Sequence, residues 1–140
     1  FLFDGAHKPC EKHSKKDIVN TAFMYLHAPY LWGGRTPMGI DCSGLTQMAY
    51  RLNGRGIPRD ASQQIELGNT LSFIEEAEPG DLAFFDDSEG NIVHVGIILE
   101  NNQILHASGK VRIDSIDQQG IFNKELGEHT HKLRLIKQVF

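Results

Sequence analysis

The chain has 140 residues, 40% hydrophobic and 23% charged, with a formal net charge of −4 at pH 7. That length and apolar content suit one compact domain with its own core. No block of Lys and Arg marks a nucleic-acid face, and no apolar run approaches the ~20 residues a membrane helix needs.

The opening "FLFDGAHKPC" has no basic n-region, too short an apolar run for a signal peptide, and no initiating Met. The chain therefore reads as a processed or trimmed piece of something longer. Residues 1–14 lack any period and read as an arm or linker from a missing upstream domain; residues 15–140 read as the domain. His7, Cys10 and His13 stand three apart, which is half a metal site, but no matching second ligand set follows. The two cysteines, Cys10 and Cys42, leave one disulfide open, yet they are no disulfide framework.

"SKKDIVNTAFMYLHA" reads as a helix. Ser14 is its N-cap, Ile18, Ala22, Tyr25 and Leu26 form one apolar stripe, His27 closes it as a cation suited to the dipole, and Pro29 ends it. Residues 29–41 read as loop, with an aromatic pair, Tyr30 and Trp32. A second helix follows in "CSGLTQMAYRLNG", with Asp41 as N-cap and Gly54 as stop. A short third helix runs from about Asp60 to Leu67 and ends at Gly68. The second half changes period. "GDLAFFD", "NIVHVGIILE", "QILHAS", "KVRIDSI" and "KLRLIKQVF" are strands separated by turn chemistry. Helices first and strands later indicate α+β, with N-terminal helices packed on an antiparallel sheet.

Cys42 falls in the first turn of the second helix, where free N–H groups and the helix dipole favour a thiolate and can hold an oxyanion. Cys42, Leu45, Ala49 and Leu52 share a face, so the sulfur points where the helix packs. A free cysteine is often only a small core residue, but "DCS" at a helix start is not a core pattern. A nucleophile needs a base and an orienting group. His94 in "IVHVG" and His106 in "ILHAS" are the candidates, each inside an apolar strand. A two-residue turn at Asn101-Asn102 would set Ile97 opposite His106 and turn His94 away. One more loop residue, or a bulge, sets Gly96 opposite His106 and makes the imidazoles diagonal neighbours. The second register is the expected one. Cys42, His94 and His106 could instead hold zinc with one open position. His129 and His131 flank the last strand and read as solvated.

"PYLWGG", "DCSGLTQMAYRLNGRGIPRDASQQ", "PGDLAFFD" and "HVGIILENNQILHAS", in that order, resemble the NlpC/P60 family of cell-wall cysteine peptidases over about residues 15–140. The resemblance implies a papain-like fold and a triad of Cys42 as nucleophile, His94 as base and His106 as orienting member. It implies peptidoglycan stem peptides as substrate, cut after γ-D-glutamate, with no cofactor or metal, and a cell-envelope location, periplasmic or secreted. The loop is most similar to the branch that takes peptides with a free N-terminal L-Ala and cleaves γ-D-Glu from diaminopimelate or Lys. There the acid and the loop tyrosine, Asp41 and Tyr30 here, help hold the amine. Trp32, Ser43, Arg59 and Asp60 match further pocket positions. Relatives of this branch often carry SH3-like domains upstream. An acyltransferase on the same fold and an inert wall-binding module remain alternatives.

Overall fold

A computed structural model describes residues 14–139. The arm up to His13, the His7/Cys10/His13 spacing and any pairing of Cys10 lie outside the described residues.

Helix α1 spans Lys15–Phe23. Ser14 caps it by accepting from the Asp17 N–H, while the Asp17 carboxylate accepts from the Ser14 N–H, a reciprocal capping box. Ile18 and Ala22 are fully buried. The helix stops earlier than its apolar stripe, which carries on through turns to Tyr25 and Leu26. The reason is a competing partner: the His27 N–H donates to the Val111 carbonyl at 2.9 Å, and the Val111 N–H donates to Ala28 at 2.8 Å. His27 takes a left-handed φ of 73° in that link, so it does not sit at a helix end facing the dipole.

The loop after Pro29 contains a miniature hairpin, β1 (Arg35–Thr36) and β2 (Gly39–Ile40). Helix α2 spans Cys42–Arg51, capped by Asp41, and Gly54 turns the chain away with φ 79°. Helix α3 is a single turn, Ala61–Gln64, shorter than its sequence pattern, and Gly68 ends the following turn with φ 64°.

Seven further strands follow: β3 (Asn69–Leu71), β4 (Leu82–Asp86), β5 (Ile92–Leu99), β6 (Gln103–Ser108), β7 (Lys110–Asp117), β8 (Gly120–Asn123) and β9 (Glu128–Gln138). They pair antiparallel in the order β3-β9-β4-β5-β6-β7-β8. β8 also pairs with β9, so six strands close into a barrel with β3 as an outer flap. The α+β class holds, but the sheet is closed rather than open. β3, β8 and the first residues of β9 are strands that the sequence pattern did not mark.

The strands bury both faces. Leu82, Phe84, Val95 and Ile97 pack outward against α1 and α2. Ala83, Phe85, Ile98, Ile104 and Ile136 fill the barrel. Two cores explain why β4 and β5 read as continuous apolar runs instead of alternating ones. They also put α2, with Leu45, Ala49 and Tyr50 buried, directly against β5.

Candidate active site

Asp41 organises the start of α2. Its Oδ1 accepts from the Gly44 N–H at 2.7 Å, as an N-cap should, and its Oδ2 accepts from the Gly33 N–H at 2.8 Å. Arg59 closes a fork on the same carboxylate, with Nη1 donating to Oδ1 at 3.0 Å and Nη2 to Oδ2 at 2.9 Å. Burial alone would raise the Asp41 carboxyl, but Arg59 and the two backbone N–H groups outweigh it and hold the group below the usual carboxylate range. Arg59 Nη1 also donates to Ser43 Oγ at 2.9 Å. Loop, helix start and the segment before α3 are thereby tied at one point. Gly44 has to be glycine here: a Cβ would come within 2.4 Å of the Gly34 carbonyl oxygen.

Tyr30, Trp32, Asp41, Cys42, Ser43, Arg59 and Asp60 all line one cleft of about 550 Å³, completed by Ile92 and Val93 of β5. Every candidate binding residue therefore converges on the cysteine. A cavity of similar size beside α1 and Glu78–Pro79, about 570 Å³, contains none of them. Trp32 is 86% exposed at the rim. The Tyr30 phenol is pushed up by burial and by the charge of Asp41, which keeps it a neutral donor.

Cys42 is buried and carries a free thiol. The helix start was expected to favour its thiolate. Burial dominates instead: it pushes the thiol up, assisted by the charge of Asp41, while the N–H groups of Val95, Ser43 and Cys42 itself act in the opposite sense. The resting group is the neutral thiol, lying against the backbone of β5.

β5 and β6 pair as Ile97↔Leu105, Ile98↔Ile104 and Leu99↔Gln103, around a three-residue turn whose Asn101 and Asn102 take φ of 59° and 55°. This is the expected longer-loop register. It brings His94 Nε2 to 2.9 Å from His106 Nδ1. Gly96 makes room, since a Cβ there would meet Ile104 Cδ1 at 2.6 Å and His106 Cβ at 3.0 Å. On its other nitrogen, His106 Nε2 lies 2.7 Å from Asp114 Oδ2. Arg112 Nε donates to the same oxygen at 2.8 Å, and Nη2 to Oδ1 at 3.1 Å. Desolvation, with His131 and His106 nearby, holds His94 well below the ordinary histidine value, so its ring is neutral.

His131 does not sit in solvent. Half-buried on β9, it stacks on His94 with centroids 4.2 Å apart and planes at 25°, and burial lowers its pKa to about 4. The signal was in the alternation: His131 is in phase with Leu133 while Lys132 points out, before a register shift turns Leu135 to the helix-side core. His129 is exposed and pairs with Asp117. Asp114 was also unmarked, although it keeps step with Arg112 across from His106.

One nitrogen from each of His94, His106 and His131 lies within 4.8 Å of the others, so among the described residues the metal-like set uses His131 rather than Cys42. Ligand lone pairs lie in the ring plane. Two rings stacked 4.2 Å apart aim theirs along separate planes, and His94 Nε2 already faces His106. This geometry suits ring packing, not co-ligation of one ion.

A cysteine in a helix's first turn, packed on a sheet that carries imidazoles bonded in series, is the arrangement of a thiol hydrolase. The comparisons with known proteins place it further. Residues 27–130 match the NlpC/P60 family model, and the chain belongs to that family of cysteine peptidases acting on peptidoglycan. It is 36% identical over 121 residues to the gamma-D-glutamyl-L-lysine dipeptidyl-peptidase of Bacillus subtilis (strain 168), covering 83% of this chain and 40% of the relative. It is 41% identical over 115 residues to dipeptidyl-peptidase 6 of Lysinibacillus sphaericus, covering 78% and 40%. The crystal structure of the NlpC/p60 domain of the peptidoglycan hydrolase SagA is similar at TM-score 0.72 and 28% identity, over 90% of this chain and 99% of that one. The chain thus spans about 40% of the length of the two curated relatives.

Proposed function

We propose that residues 15–140 form a cysteine endopeptidase domain that hydrolyses the γ-D-glutamyl–diamino acid bond of peptidoglycan stem peptides, the diamino acid being diaminopimelate or Lys. The favoured substrates carry a free N-terminal L-Ala, and the site of action is the cell envelope. The observation that carries this is the single cleft in which the Cys42 thiol meets the Asp41–Arg59 pair and Tyr30, with the His94–His106 pair on the adjoining strands. The names of the two curated relatives, both dipeptidyl-peptidases, support a substrate read from its amino end. The family resemblance implies a papain-like fold, and a cysteine on a helix with imidazoles on the sheet supports that reading.

In the proposed reaction, Cys42 Sγ attacks the γ-carbonyl of D-Glu as His94 takes the thiol proton. The N–H groups at the start of α2 stabilise the oxyanion. Imidazolium His94 then protonates the departing amine, the C–N bond breaks, and a thioester remains. Water, deprotonated by His94, attacks the thioester, releasing the carboxylic acid and restoring the thiol. His106 orients His94. Tyr30 and Asp41 face the substrate's ammonium group. Because Asp41 already accepts four hydrogen bonds, its charge is shared with Arg59, and exposed Asp60 on the same cleft supplies further negative potential. Trp32 covers the mouth, and Ser43 holds Arg59 in place.

The test is mass spectrometry of L-Ala-γ-D-Glu-diaminopimelate incubated with the protein. Release of L-Ala-γ-D-Glu is expected, blocked by iodoacetamide and indifferent to a chelator. Cys42→Ala removes turnover while keeping binding, His94→Ala is nearly as severe, and His106→Ala costs less. Inhibition by the chelator would transfer the reading to zinc. Cleavage of intact peptidoglycan but not of the free-amine peptide would overturn the preference for a free L-Ala.

A further inference from the structure

We propose that Asp114 is a positioning residue for this hydrolytic centre, fixing from the far side of His106 which nitrogen of each imidazole carries its proton. The proposal rests on the assignment of Cys42 and His94 above and adds a fourth group behind them.

The Asp114 side chain is 7% exposed and held by a two-point fork from Arg112. Burial alone would raise its carboxyl, but the hydrogen bonds from His106 and Arg112, with the guanidinium charge of Arg112, prevail and keep it ionised. An ionised carboxylate can only accept. The 2.7 Å contact therefore requires the proton of neutral His106 on Nε2, which leaves Nδ1 as a lone pair. The 2.9 Å contact then requires His94 to donate from its own Nε2. The lone pair of neutral His94 is left on Nδ1, the nitrogen not engaged by His106 and free to take the Cys42 proton. Each assignment follows from the one before, and the chain begins at Asp114.

Without the carboxylate, His106 is free to take the other tautomer. Its Nδ1–H would then donate to His94 Nε2, His94 would carry its own proton on Nδ1, and no lone pair would be offered to the thiol. The strand register builds this in. His106 is the direct partner of Arg112, and Arg112 and Asp114 stand two apart on the same face of β7.

The test begins with 15N NMR of the imidazoles in the resting full chain at neutral pH. Both His94 and His106 should show the Nε2–H tautomer. An Nδ1–H signature for His106 in the wild-type protein would overturn the proposal, with no variant needed. In Asp114→Asn the tautomer populations should become mixed. kcat should fall about tenfold or more at nearly constant KM, and Asp114→Glu should recover part of the loss. In a His106→Gln background, Asp114→Asn should change kcat less than twofold, because its route through His106 is already cut. A full additional loss there would mean that Asp114 acts only through the Arg112 ion pair, and would overturn the positioning role. The NMR signature needs no substrate: a wild-type chain with the expected tautomers but no hydrolysis would remove the proposed activity, whereas active enzyme with the wrong tautomers would remove Asp114 alone.

Discussion

The His94 and His106 imidazoles can meet because Gly96 has no side chain. An added Cβ would lie 2.6 and 2.9 Å from Ile104 and 3.0 Å from His106 Cβ, and a buried Ile104 has nowhere to retreat. Gly96→Ala should cost about 1–3 kcal/mol by overpacking and depress kcat more than its stability loss explains, measured by denaturant unfolding beside initial rates. Cys42 carries a second expectation at this scale. With the thiol raised by burial, its alkylation by iodoacetamide should climb through a midpoint above the ordinary ~8.5. A rate plateau already reached at pH 6–7 would indicate a standing thiolate and contradict the neutral pair. His131 supplies the third. A histidine whose folded pKa, about 4, lies below its unfolded one stabilises the fold above about pH 6.5, and that contribution is lost as pH falls toward 4. His131→Phe keeps a flat ring on His94 and cannot titrate, so its Tm should fall less than the wild type's across that window. His94, also depressed, leaves a residual slope in the variant.

Among the elements, α2 is the one whose ends matter most. Asp41→Ala removes the N-cap and strands half-buried Arg59 together, a loss of roughly 2 kcal/mol by urea titration. Asp41→Asn keeps a cap acceptor and should lose less. This element was legible in the sequence because its signals are local: a capping acid, an apolar stripe and a positive-φ glycine. The β5–β6 register was legible too, since parity allows only two outcomes and a paired His94 and His106 requires one of them. Helix α1 was overread because its stop is set by Val111, some 84 positions away from His27 in sequence, and a periodic stripe says nothing about such a partner. α3 was overread for a related reason: its apolar Ile65 and Leu67 belong to turns that pack on the core. His131 was misjudged by its polar neighbours, although its phase with Leu133 was visible.

For the whole molecule, closure is the property that local patterns could not convey. β8 is four residues long, and its pairing with β9 shows itself only once the other strands are in place. Ile136, 1% exposed inside the barrel, is on the strand that completes it. Ile136→Ala should cost about 2–4 kcal/mol, and far-UV and near-UV signals should be lost in one step, because the barrel has no independent half. Separate transitions for sheet and site would contradict that.

β9 is the last strand in chain order, yet it is the shared partner of β3, β4 and β8 and carries the ring that covers His94. A chain still being synthesised has Cys42, His94 and His106 before β9 exists, but it then has no closed barrel and nothing stacked on His94. Competence of the proposed centre therefore waits until residue 138 has left the ribosome. The strand order acts as a clock, keeping the nascent domain chemically silent until its last strand is in place.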